Sequence, residues 1–552
     1  MSELLISPLG PAFILLAAAA LLRIVASPRR ALVLALLTLP PLAASFLALA
    51  RLRASGGGVL ELAWWPLVLP PLRVLWVLDG WNWLALLLLL LAGSAAVLLT
   101  WSAPGKRSGA YHGHSFGLLG AAALTVVSDN LLTVSCIWVA TDILLVARAR
   151  GSRAQGGTAP VWLAVTGSLL MLVAIGITSS SLASATLTAA ALPQETMILL
   201  LAVAAVRMAA YPLHLWLAPS GYGRDRGTQL LINSVGLITG GWLLGRVFQL
   251  GASVWFTDPL WPWVLVFLTL LAGLAAWTAR ERDRLALLSS GRAVWLWLIL
   301  ALTPAASGRD ALGWGMASVV LALILWVVGQ AINEQWRWRL PLALAAATLV
   351  GLPLLAGMPA RALAESPHLI LALLLVAADA LAVAVVLQGW NASRLAPAAS
   401  DAPAGRSLRQ LLSRAETWDN ARLLVALGLA MVPNALWGVQ PARLAAQAGF
   451  SQVLSLGALL GQLGLGSLLA ILAALALGIG FYQVAQQPAS FFQRWQQRLG
   501  AATGLGWLLA GAGWLAGWID LGWRNALLIV EGEGYFGWVI LALLLALLVV
   551  SL

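Results

Sequence analysis

Five side chains within apolar stretches of this sequence can hold charge or move a proton: Asp142, Arg207, His214, Arg361 and Asp379. Their types limit the chemistry. A carboxylate or an imidazole can titrate inside a protein, whereas a guanidinium starts above about 12 and stays protonated. Neutralising an arginine near pH 7 would take at least about 5 pKa units, or roughly 7 kcal/mol at 1.36 kcal/mol per unit. Arg207 and Arg361 are therefore expected to be fixed charges rather than carriers. A fixed cation away from water needs a partner. Asp142 is the expected partner of Arg207. Asp379, inside LLVAADALAV, is expected either to pair with Arg361 or to line a water path. His214 is left open between an ion path and plain packing. No Gly-rich nucleotide loop, zinc spacing or nucleophile elbow lies on a polar segment, so no metal site, no cofactor and no redox centre of its own is expected. The single cysteine, Cys136, excludes a disulfide framework and is expected to be a small buried side chain.

The elements that must position these residues follow from composition. Of 552 residues, 61% are hydrophobic and 9% charged, against about 25% charged in a soluble domain. A soluble enzyme is excluded. The net charge of +12 does not point to nucleic acid, because the arginines are read as sitting in short gaps between apolar runs and forming no patch. Apolar windows of about 20 residues recur near 4–25, 31–50, 78–100, 115–128 with 130–147, 160–180, 195–217, 228–249, 260–278, 285–302, 312–331, 340–358, 368–389, 421–437, 453–482, 501–519 and 536–552. The expected fold is an all-α polytopic membrane bundle of roughly 16–17 transmembrane helices, since only helices or closed barrels satisfy their backbone in lipid. With the amino terminus outside, every alternate gap is basic, from Arg29 and Arg30, through Lys106 and Arg107, to Arg494 and Arg498. That is the positive-inside pattern. Most tryptophans, among them Trp64, Trp81, Trp261, Trp336 and Trp518, fall near span ends and are read as interfacial anchors. His112 and His114 are read as solvated and His368 as interfacial.

Two spans contain a proline where a helix cannot continue: VRMAAYPLHLWLAP at Pro212 and LVGLPLLAGMPARAL at Pro353. They lie about five spans apart, an odd number, so the second unit is expected to be inverted relative to the first. Matching interruptions in inverted repeats point to an ion or substrate path at the midplane. Each proline has an arginine nearby, Arg207 and Arg361.

These segments resemble the antiporter-like membrane subunits of respiratory complex I, the Mrp cation/proton antiporters and the membrane-bound hydrogenases. The family's broken helix carries a lysine, four residues, then Pro-x-His/Gln-x-Trp-Leu. Pro212, His214, Trp216 and Leu217 match it, with Arg207 at the lysine. LLINSVGLITGGWLLGRV is similar to the next family helix, and VLDGWNWLALLLLL, with Asp79 and Gly80, to the start of the third. SDNLLTVSCIWVATDILLVA and ERDRLALLSSGRAVW are similar to two further family segments. GLPLLAGMPAR is similar to Gly-x-Pro-x-x-x-Gly-Phe-x-x-Lys, with Arg361 at the lysine. The resemblance covers roughly residues 75–390. It implies two inverted five-helix repeats with broken helices. The implied divisions are amino-terminal helices 1–110, a first repeat 111–250, a second inverted repeat 251–390, a polar inside loop 391–420 and a carboxy-terminal extension 421–552.

The resemblance also implies a relay that the residues lack. The family pairs a buried glutamate with the broken-helix lysine and continues along lysines and histidines. Here Val139 stands at the glutamate, Arg207 at the first lysine, Ile238 near the next relay position and Arg361 at the last; the only lysine, Lys106, lies in a loop. Asp142 is three residues beyond Val139, on nearly the same helix face. The implied function is a membrane subunit of an NADH:quinone oxidoreductase-type or antiporter assembly with ion conduction altered or lost. The alternative is a non-conducting paralogue holding the membrane arm together. The implied partners are the lipid bilayer, other membrane subunits, and protons or Na+, with no nucleic acid; the implied location is a prokaryotic inner membrane.

Overall fold

The computed structural model describes residues 7–25, 31–64, 72–100, 109–151, 159–178, 192–217, 226–364, 368–395 and 418–486, with the single positions Leu187, Arg498, Trp518 and Leu521. The chain forms two compact units, Met1–Thr503 and Gly504–Leu552. Everything below concerns the first. The expected spans 501–519 and 536–552, most of the 391–420 loop and Lys106 lie outside the described residues.

Helices α1 (Gly10–Ile24) and α2 (Ala31–Ala54) lead into an antiparallel hairpin, β1 (Gly58–Trp64) with β2 (Leu72–Leu78). Helix α3 (Gly80–Thr100) follows. The next helices are α4 (Gly109–Val127), α5 (Leu131–Gly151), α6 (Ala159–Ile177), α7 (Gln194–Arg207) with a 3-10 continuation Leu213–Leu217, and α8 (Arg226–Gln249). A 3-10 turn, Ala252–Thr257, leads to α9 (Leu260–Thr278), α10 (Glu281–Leu302), α11 (Ala305–Trp336), α12 (Leu340–Val350) with its short continuation α13 (Met358–Leu363), and α14 (Leu369–Leu395). The described chain closes with α15 (Trp418–Val439), α16 (Pro441–Ala448) and α17 (Leu456–Ala485).

Eight of the described helices are long and apolar enough to cross a membrane: α3, α8, α9, α10, α11, α14, α15 and α17. The protein is an all-α polytopic membrane bundle. The apolar windows of α8 and α11 are wholly buried, whereas that of α17 is mostly exposed, so α8 and α11 form the axis of the bundle. The packing repeats. Within α4–α8, each helix packs on the next, the broken α7 packs on α8, and α4 meets α8; within α9–α14 the same neighbours recur, with α12 as the broken member. This is the contact pattern of two pseudo-symmetric five-helix units.

Some local expectations need correction. The gap expected before residue 115 is helical, because α4 starts at Gly109; His112 is fully buried and His114 Nε2 lies 2.7 Å from the Leu144 carbonyl. Cys136 is exposed on α5, since helical periodicity turns it away from Val134, Ser135 and Trp138, which are buried. Trp81 is no interfacial anchor. It is fully buried, and its Nε1 donates to the Trp242 carbonyl at 3.1 Å. Trp336 is buried too, while Trp261 is exposed. Finally, the arginines are not confined to gaps: Arg246 and Arg292 lie inside α8 and α10 and are buried.

Candidate functional site

Both predicted interruptions are real breaks, built differently. At the first, α7 ends at Arg207, Ala209 takes φ +54°, and the Tyr211–Pro212 peptide is cis. Proline has no N–H to give, and carbonyls just before it lose their helical donors. They find others here. Ala210 N donates to Ala205 O at 3.0 Å, Ala209 N to Val206 O at 3.0 Å, and the Trp216 indole also donates to Val206 O at 2.7 Å. The matched Trp216 thus pins the two sides of its own break.

The second break runs from Gly351 (φ +78°) through Pro353 and Leu354 (φ +69°) to Gly357. Gly351 caps α12 in the left-handed region, where a side chain is strained. Gly357 lies so close to α12 that a Cβ would fall 2.0 Å from the Thr348 carbonyl. The brace comes from outside the repeat: Asn434 of α15 donates to Thr348 Oγ1 at 2.8 Å and accepts from Ala356 N at 3.0 Å.

Beside the first break, Arg207 and Asp142 form an ion pair with both side chains almost fully buried. Asp142 also accepts from Ser168 Oγ of α6. The guanidinium stands 4.6 Å from the centre of the Trp138 ring, and its Nε faces Thr239 Oγ1 of α8 at 3.4 Å. Four helices, α5 to α8, thus converge on one pair. An arginine can fill this many contacts because its donors fan out in a plane and its charge stacks on an aromatic face. Val139 is half-buried on α5 and Ile238 is buried in α8. His214 is buried and stacks on Tyr211, with ring centroids 5.3 Å apart. Among the described residues it does not join Arg207 and Asp142.

Beside the second break, Asp379 of α14 accepts from two arginines. Arg361 Nη1 of α13 donates at 3.1 Å, and Arg292 Nη1 of α10 at 2.8 Å. Arg292 and Asp379 are each 2% exposed and Arg361 10%. Arg292 was missed from sequence, although it stands within the apolar run 285–302. A third cluster was missed as well. Asp79 caps α3 through Asn82 N at 2.8 Å and pairs with Arg246 Nη2 at 2.6 Å. The same Arg246 nitrogen donates to Asn82 Oδ1 at 2.7 Å, which also accepts from Trp242 Nε1 at 2.6 Å. The readable signal was an arginine within an apolar helix, mid-span for Arg292 and in the last turn of α8 for Arg246.

Arginine–carboxylate pairs of this kind tie neighbouring helices together, and the guanidinium in each does not release a proton. Among the described residues no group of histidine, cysteine, aspartate and glutamate side chains could hold a metal ion.

No family model matches the sequence, and no curated protein matches it. Solved structures do match. A chain of the membrane-bound sulfane sulfur reductase, an archaeal respiratory membrane complex, aligns with a TM-score of 0.72 and 18% identity, covering 98% of this chain and 99% of that one. The chain has the fold of these membrane subunits. A chain of the Mrp complex from Dietzia sp. DQ12-45-1b aligns with a TM-score of 0.67 and 16% identity. That alignment covers 98% of this chain, which spans 63% of the Mrp chain. At these identities the likeness is one of fold.

Proposed function

We propose that the chain is a membrane-arm subunit of a complex I-type or Mrp-type assembly, and that it does not relay protons. The observation that carries this reading is the same at both breaks: a guanidinium stands where the resemblance implies a lysine, and a buried carboxylate pairs with it. A relay needs groups whose charge alternates. Lysine can alternate when desolvation lowers its pKa, but arginine cannot. Fixed pairs at the breaks make the subunit a structural or coupling element, so neither protons nor Na+ pass by the family route. Its partners are other membrane subunits, as its full-length match to a chain of a respiratory membrane complex suggests. The divisions 111–250 and 251–390 are its two repeats, and it sits in a prokaryotic inner membrane with the amino terminus outside.

The test is reconstitution into liposomes containing a pH-sensitive dye, under an imposed potential, alongside affinity capture from native membranes. The expected result is a dye response equal to that of empty liposomes, with other membrane subunits captured. Proton flux that disappears in Asp379→Asn would overturn the non-conducting reading. Capture of the chain alone would overturn its place in an assembly.

A further inference from the structure

We propose that the groove between α7, the 3-10 turn Ala252–Thr257 and the start of α9 binds one membrane phospholipid with a zwitterionic, amine-bearing head. The groove holds about 830 Å³, inside the roughly 300–1,000 Å³ typical of small-molecule sites. One wall is a stripe of α7: Gln194, Ile198, Leu201 and Ala205, spaced so that they share a helix face. From Gln194 to Ala205 the helix rises about 16 Å at 1.5 Å per residue, a length suited to an extended hydrocarbon chain. Small side chains at Ala202 and Ala205 leave that room.

Polarity is confined to one end. Gln194 opens α7, and Thr257 and Asp258 precede α9 on the opposite lip. Everything deeper is apolar or aromatic. The lips are apolar as well: Val254 is 70% exposed, Ile198 51% and Trp261 42%. In a membrane protein such a surface meets hydrocarbon, and a tryptophan at its polar end belongs at the interface. The groove therefore has the polarity gradient of an amphiphile. Trp297 of α10 also lines it, and its indole N–H is buried with no acceptor. A buried donor of this kind needs a partner, and a glycerol-ester carbonyl at the head of an acyl chain supplies one.

The head follows from charge. Among the described lining residues the ionisable one is Asp258, whose Oδ1 caps the Leu260 N–H at 2.8 Å. Among the described residues none that lines the groove is basic, and the carboxylate repels an anionic head. An ammonium is attracted. Phosphatidylethanolamine fits; phosphatidylglycerol does not.

The full chain, purified in detergent and exposed to an equimolar mixture of the two lipids, is weighed by native mass spectrometry. One phosphatidylethanolamine per chain is expected to survive delipidation. Ala202→Phe, which puts a ring into the groove, is expected to abolish retention. Trp297→Phe keeps the packing, removes the donor, and is expected to reduce retention several-fold even if Ala202→Phe does not fold. Asp258→Asn is expected to erase the preference for the amine head. Retained phosphatidylglycerol, a co-purified quinone, no retained lipid, or retention unchanged by Trp297→Phe would each overturn the assignment. None of these outcomes bears on proton flux, so the proposed function stands or falls separately.

Discussion

The two broken helices solve one problem with opposite charge layouts. In the first half, the acid sits on the second helix of the unit (Asp142, α5) and the arginine on the broken helix, giving one pair with no formal charge left over. In the second half, the second helix carries an arginine instead (Arg292, α10), and the acid moves to the last helix (Asp379, α14). That acid answers two arginines, so a formal positive charge remains. The braces differ too. Trp216 closes the first break from within its own unit, whereas Asn434 closes the second from α15. Pseudo-symmetry in the backbone thus does not require symmetry in charge. It requires only that each buried cation find an anion, and any neighbouring helix can supply it.

The comparison predicts an order of effects. Asp379→Asn strands two buried guanidiniums and should be the most damaging single change, costing about 3–5 kcal/mol, the range for breaking a buried pair. Detergent-solubilised protein should show it as the largest drop in unfolding temperature. Asp142→Asn strands only one arginine, which keeps Trp138 and Thr239; its cost should lie nearer about 3 kcal/mol. Equal or reversed losses would break the contrast between a neutral and a charged site.

Backbone substitutions sharpen the second contrast. Ala209 and Gly351 both adopt positive φ. Ala209→Gly should stabilise the first break by up to about 1 kcal/mol, while Gly351→Ala should destabilise the second by about 1–2 kcal/mol. The added methyl would also approach Arg361 Cβ to 2.9 Å. Opposite signs in parallel melts are the outcome expected. The smallest effect belongs outside the breaks. Arg226 pairs with Glu334 at 2.5 Å and with Glu281 at 3.5 Å, each side chain 31–48% exposed. Glu334→Gln should cost under about 1 kcal/mol, and less in high salt.

Several features were legible from the chain alone. Apolar runs give membrane helices because lipid offers the backbone no other donor. Pro212 and Pro353 stand within the breaks, although proline does not by itself end a helix: Pro40 and Pro41 lie inside α2 and Pro433 inside α15. Asp142 was a readable partner for Arg207 because intramembrane charges are few. Arg292 was less so. Several helices separate it from Asp379 in sequence, and nothing local says which span packs against which. Asn434 was illegible for the same reason: an asparagine near the end of a span reads as a polar residue at an interface until α15 is seen against the second break.

By itself the sequence determined that the cations beside the two breaks, Arg207 and Arg361, cannot shed protons, and that the spans holding Pro212 and Pro353 are interrupted, because these are properties of single residues and their immediate neighbours. Tertiary structure alone decided which anion answers which cation, that one carboxylate serves two arginines, and that an extension helix props a distant break. Those outcomes depend on which helix faces meet, and non-local packing is chosen by the whole bundle at once.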